Sequence, residues 1–187
     1  MNNFAFIIHP IDPQQDVARK YPLLGKLPRR FIDFFCLFFP PVLLSRIVGI
    51  RSAATGAELE GWLLACPLTP RRMLEVRPNT AYRKIVQTGH LAEQLGARIL
   101  GLGAFTSVVG DGGVTVSKRL SIPVTTGHSL TVALTVKASL EAAQRIGLEP
   151  GRCVAAVVGA YGSLGRACVQ VLASVVPTMI LVGRQME

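Results

Sequence analysis

The chain has 187 residues, half of them hydrophobic and 17% charged, which is the length of one ordinary domain or one and a half small ones. Its 18 glycines and 12 prolines form no low-complexity run, so the composition excludes a disordered chain, a collagen and a disulfide scaffold. Lysine and arginine outnumber aspartate and glutamate by 20 to 11, for a net charge of +9. This charge favours an acidic protein, a phosphate-bearing cofactor or an anionic membrane. It does not indicate nucleic acid, because no aromatic stacking residues accompany the basic ones.

The elements follow from apolar periodicity and turn residues. In chain order we predict a strand at 4–8, a helix from Pro13 to Lys20 capped by Asp12, a hairpin of strands 46–51 and 59–65, a helix from Pro78 ended by Gly96, a strand at 98–102, a glycine-rich loop to 113, a strand at 122–125 and a helix at 130–146. The residues of that last helix also alternate like a strand, but their number and the following Gly147 favour a helix.

Five of the eight phenylalanines fall within residues 31–39 (FIDFFCLFF), with Arg29 and Arg30 before them and a proline pair after them. The segment is too short to span a bilayer as one helix, which takes about 20 apolar residues. Two interpretations stay open. The segment is either a buried amphipathic helix or an exposed, basic-flanked surface that lies on a membrane or meets an acyl chain.

The four cysteines show no CxxC spacing, and we expect reduced thiols packed in the core: Cys36, Cys66, Cys153 and Cys168. No metal site is predicted. The apolar start of the chain is too short for a signal peptide and is followed at once by Pro10. We therefore expect a cytoplasmic location, with membrane association left open by the phenylalanine-rich segment.

A glycine-rich loop follows the run CVAAVV at 153–158, which is typical of a parallel strand covered on both faces. A helix at 166–173 and a strand at 179–182 come next. Glycines so placed allow a tight turn and a close approach of a pyrophosphate to backbone N–H groups at a helix start. The predicted dinucleotide-binding residues are Gly159, Ala160, Tyr161, Gly162, Ser163, Leu164 and Gly165.

Arg184 lies at the end of the second strand, where an NAD site usually carries an acidic residue. An arginine there suits a 2′-phosphate, so NADPH is the predicted cofactor. The turn at 149–151 marks the predicted boundary between an N-terminal α/β substrate domain, residues 1-150, and the opening βαβ of a Rossmann domain, residues 151-187. Such a domain needs five or six strands, so we expect this α/β chain to be an incomplete portion, inactive alone.

The chain resembles the long-chain acyl-(acyl-carrier-protein) reductases that form fatty aldehydes, and their relatives described as predicted amino acid dehydrogenases. The matching stretches are ILGLGAFTSVV at 99–109, TTG at 125–127, VVGAYGSLG at 157–165 and LVGR at 181–184. The resemblance implies NADPH-dependent reduction of an acyl thioester, carried by coenzyme A or an acidic acyl carrier protein. The family's nucleophilic cysteine lies downstream of the nucleotide fold, so none of the four cysteines here takes its role.

The resemblance also implies a substrate cleft between the two domains, lined by Ala104, Phe105, Thr106, Ser107, Thr125, Thr126, Gly127 and His128. His128 stands where the family is expected to have Asn. Two alternatives remain open. One is an amino acid or shikimate-type NADP-dependent dehydrogenase, for which Asp111 and Lys118 are the nearest acid–lysine pair. The other is a non-catalytic membrane- or protein-interaction fragment that uses the phenylalanine-rich segment.

Overall fold

The computed structural model describes residues 3–184, which form two compact units, one running to Thr126 and one beginning at Gly127. The strands of the first unit are β1 (Phe4–Ile8), β2 (Val42–Arg51), β3 (Glu58–Ala65), β4 (Ile99–Leu102) and β5 (Val124–Thr125). They form one sheet in the order β2-β3-β1-β4-β5. All neighbours pair in parallel except β2, which runs antiparallel to β3 at one edge. The predicted α/β class is therefore confirmed.

The helices of the first unit are α1 (Pro13–Lys20), α2 (Arg29–Phe35), α3 (Pro70–Glu75), α4 (Pro78–Gln94) and α5 (Val114–Ser117). The predicted cap of α1 is confirmed, because the Asp12 carboxylate accepts the Gln14 N–H at 3.0 Å and the Gln15 N–H at 3.3 Å. Gly96, with φ +84°, follows α4 in the left-handed conformation that stops a helix. The local signals at both helix ends thus predict the boundaries well.

The core of the first unit lies on one face of the sheet. Five side chains there have essentially no exposed surface, namely Ala5, Ile7, Leu64, Leu100 and Leu102. The side chains of α4 that join this core are Ala81, Ile85, Val86 and Ala92. On the other face the Phe4 and Phe6 rings lie over Gly61 and Gly101, where an added Cβ would be 2.4 and 2.8 Å from ring carbons. Only glycine leaves room for those rings.

The second unit contains α6 (His128–Arg145), β6 (Val154–Val158), α7 (Ser163–Leu172) and β7 (Thr178–Val182). The helix predicted over the ambiguous segment is present as α6, and β6 pairs with β7 in parallel. The two units differ from the predicted domains, 1-150 and 151-187, because α6 packs against α7 and so belongs with the second sheet. The turn at 149–151 lies inside the second unit.

The β6 strand corrects one prediction. Val154, Ala156 and Val158 are exposed, so the strand is not covered on both faces by the part of the chain that the structure describes. The β7 side chains Ile180 and Leu181 are also exposed. The periodicity predicted a parallel strand correctly, but composition alone cannot say which neighbours cover it.

The structure distinguishes between the two interpretations of the phenylalanine-rich segment. It forms α2 and the turn after it, and its buried side chains are Ile32 and Cys36 rather than the aromatic ones. Four of its five phenylalanines are about half exposed or more, so the interpretation as a buried helix is wrong for the aromatic face. Within residues 3–184 no helix is both long and apolar enough to cross a bilayer.

We predict that acid weakens the first unit through Glu93 at the end of α4. Its carboxylate accepts hydrogen bonds from the Ser121 N–H and hydroxyl at 2.6 and 2.7 Å and lies 2.8 Å from the His90 ring. The His90 ring and the Ser121 hydroxyl hold the pKa of Glu93 at about 2. A carboxyl whose pKa falls on folding stabilises the fold above its unfolded value near 4.5, and this contribution is lost as the pH drops toward 2.

Urea titrations between about pH 5 and pH 2 should therefore show a shallower loss of unfolding free energy in Glu93→Gln than in the unmodified chain. Gln94→Ala, an exposed change on the same helix, serves as the control and should keep the original slope. Equal slopes for Glu93→Gln and the unmodified chain would contradict the assignment.

Candidate dinucleotide-binding site

The loop between β6 and α7 is hydrogen-bonded to the end of β7. Gly159 follows β6 directly with φ +81°, a conformation that favours glycine. The N–H groups of Gly159 and Ala160 both donate to the Val182 carbonyl, at 2.7 and 3.1 Å. Gly162 N–H then donates to the Gly159 carbonyl at 3.0 Å. These bonds hold the loop as a tight turn at the carboxyl end of the parallel pair.

The start of α7 lies directly on this turn. A Cβ built on Gly165 would be 2.1 Å from the Gly159 carbonyl oxygen, and one on Gly162 would be 3.4 Å from the same atom. Glycine at 165 is therefore required for the helix to pack so closely on the loop. No side chain caps the amino terminus of α7, which begins at Ser163. Its first-turn N–H groups and the positive end of its dipole suit a pyrophosphate, so these residues fit the predicted cofactor.

The helix begins three residues earlier than predicted, at Ser163 rather than at residue 166. The loop glycines were expected to precede the helix, yet Ser163, Leu164 and Gly165 form its first turn. A glycine weakens a helix interior, which explains why the propensity signal starts only after Gly165. The earlier start places the Ser163 side chain at the first helical position.

Tyr161 and Arg184 also lie at this edge of the second sheet. A Cβ on Gly183 would be 2.6 Å from the Tyr161 ring, so the ring lies against the chain that continues from β7. Arg184 is the next residue and is exposed, and Tyr161 is 53% exposed. An aromatic ring and a guanidinium group thus flank the end of β7, where the adenosine half of a dinucleotide binds in such folds.

The predicted cleft residues 104–107 form a 3₁₀ turn directly after β4. Ala104 has φ +49°, the one non-glycine residue with positive φ in the described chain. The Thr106 hydroxyl donates to the Gly103 carbonyl and the Ser107 hydroxyl to the Ala104 carbonyl, both at 2.7 Å. Both hydroxyls are buried and stabilise the turn, which positions its backbone at the carboxyl edge of the sheet.

The remaining predicted cleft residues fall on both units. Thr125 ends β5 and Thr126 closes the first unit. Gly127 opens the second unit as the N-terminal cap of α6 with φ +72°, and His128 is the first residue of that helix. Because β4 and β5 pair in parallel, with Gly101 opposite Thr125, the 104–107 turn and Thr125 share the carboxyl edge of the first sheet.

Sequence reasoning missed His9, which directly follows β1 at the same edge and is 7% exposed. The Phe105 N–H donates to His9 Nε2 at 3.0 Å, and Nδ1 lies 3.1 Å from the Pro10 carbonyl. This pairing requires the tautomer with the proton on Nδ1. The neighbours of β1 are β3 and β4, so the chain order reverses there, and ligands bind at such points in open α/β sheets. A histidine after a first parallel strand was the available signal.

The cysteines match the expected free thiols, but only Cys36 and Cys66 are fully buried. Burial raises the pKa of Cys66 to about 11 and also raises the pKa of Cys36, which disfavours the nucleophilic thiolate of both. The Asp111 carboxylate accepts the Thr115 N–H at 3.0 Å and the Thr115 hydroxyl at 2.5 Å. No ion pair joins Asp111 to Lys118 among the residues that the structure describes.

Comparisons with known proteins find partial similarities. No family model matches the chain. It is 35% identical over 113 residues to an aminotransferase, PigE, of Serratia sp. (strain ATCC 39006), covering 60% of this chain and 13% of that protein. It is 28% identical over 135 residues to a long-chain acyl-[acyl-carrier-protein] reductase of Synechococcus elongatus, covering 68% of this chain and 39% of the reductase. The chain thus spans well under half the length of either relative.

Among solved structures, an aspartate racemase homologue from Pyrococcus horikoshii aligns with 99% of this chain and 65% of its own, at 11% identity and a TM-score of 0.36. That score is too low to support an argument about function. The sequence comparisons support a loose relationship to an oxidoreductase, and the α/β topology agrees with it.

We predict that Gly165→Ala disrupts the loop, because its methyl group would overlap the Gly159 carbonyl. The expected cost is about 1–3 kcal/mol of unfolding free energy for the second unit, measured by urea denaturation followed by circular dichroism. Gly151→Ala in the same unit is the control, since a Cβ there meets no atom within 4 Å. Equal stability of the two variants would contradict the geometry.

We predict that His9→Ala costs about 1–3 kcal/mol in the first unit, because the Phe105 N–H loses its acceptor. Thermal unfolding of the variant measures this loss. His128→Ala, at the first position of α6, is the matched histidine control and should change stability by less than about 0.5 kcal/mol. A His9→Ala variant as stable as the control would refute the role of this hydrogen bond.

Proposed function

We propose that this chain provides the NADPH-binding loop and part of the substrate site of an enzyme that reduces long-chain acyl thioesters to fatty aldehydes. The observation that carries the proposal is the contact of Gly165 with the Gly159 carbonyl, which brings the uncapped start of α7 onto a tight turn between two parallel strands. This arrangement suits a pyrophosphate. The partial similarity to the acyl reductase supports the reaction type.

The chain's own residues would divide the binding of NADPH between them. The first-turn N–H groups of α7 and the Ser163 hydroxyl would hold the pyrophosphate. Arg184 would pair with the 2′-phosphate, because a guanidinium group binds phosphate oxygens through two parallel hydrogen bonds. Tyr161 would lie beside the adenosine. When bound, NADPH supplies the hydride for reduction.

The carboxyl edge of the first sheet would orient the thioester. The backbone of the 104–107 turn is held there by His9 and by the Thr106 and Ser107 hydroxyls. These contacts support a fixed wall for an acyl group rather than an acid–base pair. The positive net charge suits either coenzyme A or an acidic carrier protein as the acyl donor. Neither Cys36 nor Cys66 would act as the nucleophile, since burial raises the pKa of both thiols.

An amino acid or shikimate-type dehydrogenase is the less favoured alternative. Such a reaction was expected to use Asp111 and Lys118 as a polar pair. The Asp111 carboxylate instead accepts the N–H and hydroxyl of Thr115 in the first turn of α5, and the Thr115 hydroxyl is the main cause of its lowered pKa. Because Asp111 binds Thr115 rather than Lys118, the acid–lysine pair that would have favoured this alternative is not formed.

The proposal is tested by measuring the binding of NADPH and of NADH to the 187-residue chain. The fluorescence of each nucleotide reports its binding. We expect tighter binding of NADPH, and Arg184→Ala should reduce the preference for NADPH about tenfold, the equivalent of about 1.4 kcal/mol. Binding of NADH should change little, because it lacks the 2′-phosphate. Arg152→Ala, an exposed arginine of the same unit, is the matched control.

Absence of binding to either nucleotide would overturn the proposal. Binding that favours NADH, unaffected by Arg184→Ala, would keep a dinucleotide site but reject NADPH. The reaction type is tested separately by assaying aldehyde formation from palmitoyl-coenzyme A and NADPH in a protein that contains this chain together with further strands and a cysteine. Nucleotide binding without aldehyde formation there would reject acyl reduction.

A further inference from the structure

An aromatic surface on the first unit has no role in the proposed reaction. We define the phenylalanine face as Phe31, Phe34, Phe35 and Phe38, whose exposed fractions are 56%, 56%, 48% and 72%. Their spacing places all four on one side of α2 and the turn after it. The rings of Phe34 and Phe35 and of Phe34 and Phe38 lie 5.5 and 5.7 Å apart, so three of them form one cluster. A cluster of exposed aromatic residues is unusual for a free protein surface.

The orientation of α2 is fixed by hydrogen bonds on its inner side. The Thr69 hydroxyl donates to the Asp33 carboxylate at 3.2 Å, and the Thr69 oxygen in turn caps α3 by accepting the Arg72 N–H at 3.3 Å. After the helix, the Lys84 ammonium group donates to the Phe39 carbonyl at 2.8 Å. The Asp33 side chain thus ties the helix inward while the aromatic rings point away from the core. The exposure of the phenylalanine face follows from this anchoring.

Two basic hollows border the phenylalanine face. The first, of about 410 Å³, is lined by Phe34 together with Arg30, Arg71, Arg72, Asp33 and Glu75. The second, of about 560 Å³, is lined by Phe38 together with Arg83, Lys84, His90 and three uncharged residues. Each hollow therefore has one wall from the aromatic cluster and carries more cationic than anionic side chains.

Two arginines of the first hollow are paired with a glutamate. The Arg71 Nε and an Arg72 terminal nitrogen both donate to Glu75, at 2.7 and 3.0 Å. The Arg72 Nε is buried with no hydrogen-bond partner in the described chain. Arg30 and Arg71 are exposed at the rim. A phosphate in this hollow would pair with the exposed Arg30 and with the guanidinium N–H groups of Arg71 and Arg72 that do not bind Glu75.

We propose that this face binds the surface of an anionic phospholipid membrane. The phenylalanine face would enter the boundary between headgroups and acyl chains, and the two hollows would receive lipid phosphates on either side of it. This combination of an apolar aromatic face with flanking cations is what interfacial binding requires, because apolar burial and attraction to anionic lipids add together. An acidic protein partner would pair with the cations through its carboxylates. It would also need an apolar surface of its own to cover the aromatic cluster.

The first test is flotation of the full chain with vesicles of phosphatidylcholine alone and with about 30% phosphatidylglycerol. We expect binding to the anionic vesicles, which weakens as salt is raised. Phe34→Ser with Phe38→Ser should reduce the partition coefficient more than about tenfold, as should Arg30→Glu with Arg71→Glu. The controls are Leu130→Ser with Leu134→Ser and Lys137→Glu with Arg145→Glu, exposed pairs on α6 that should leave binding unchanged.

The second test measures insertion. The chain has a single tryptophan, Trp62, so Trp62→Phe with Phe34→Trp moves the fluorescent probe onto the phenylalanine face. Anionic vesicles should shift its emission to shorter wavelength, and brominated acyl chains should quench it. The matched probe, Trp62→Phe with Leu130→Trp, should show neither effect. Circular dichroism melting of each variant establishes that the fold is kept.

The proposal is overturned if the chain does not float with anionic vesicles, or if the phenylalanine and control variants bind equally. Binding without quenching of the residue 34 probe would reduce the interaction to electrostatics and reject the inserted face. If the chain does not bind vesicles but is a dimer that becomes a monomer on Phe34→Ser, the phenylalanine face is a contact between protein molecules instead.

Discussion

The architecture of the first unit depends on the burial of β1 between two parallel neighbours. Ala5 and Ile7 have no exposed surface, and the strand pairs with β3 on one side and β4 on the other. The pairing continues past the strand ends, where the Cys66 N–H donates to the Ile8 carbonyl and the Gly103 N–H to the Ile7 carbonyl. Parallel alignment then puts His9 and the 104–107 turn at one edge. A site there is thus a consequence of how the core is built.

In the second unit, too, the backbone contacts that hold the fold together also shape the candidate site. The Val182 carbonyl accepts two N–H groups from the loop, and the helix follows so closely that a methyl group at Gly165 has no room. The loop, the helix start and the end of β7 therefore form a single rigid element. Rigidity of this kind matters for phosphate binding, because backbone donors that are already oriented lose little entropy when the anion arrives.

Features coded by neighbouring residues were predictable from the sequence. They include the cap at Asp12, the stop at Gly96 and the tight turn at Gly159, since each depends on side-chain size or on backbone freedom within a few residues. The position of His9 after the first strand was visible in the sequence, but its role as an acceptor was not, because its partner is the Phe105 N–H, 96 residues away. The outward direction of the phenylalanines depends likewise on the distant Asp33–Thr69 contact. Hydrophobic composition indicates that a surface must be covered, but it does not identify the residues or molecules that cover it.

The central position of β1 also has a consequence for synthesis on the ribosome. Strand β1 is made before both of the neighbours that it needs, because Phe4 lies opposite Gly61 in β3 and opposite Ile99 in β4. Until translation has passed Leu102, the apolar segment FAFII therefore lacks the second of its partners. Long-range pairing of this kind slows folding and prolongs the exposure of apolar strands. Among the strands of the first sheet, β1 thus waits longest for complete pairing while the chain is being made.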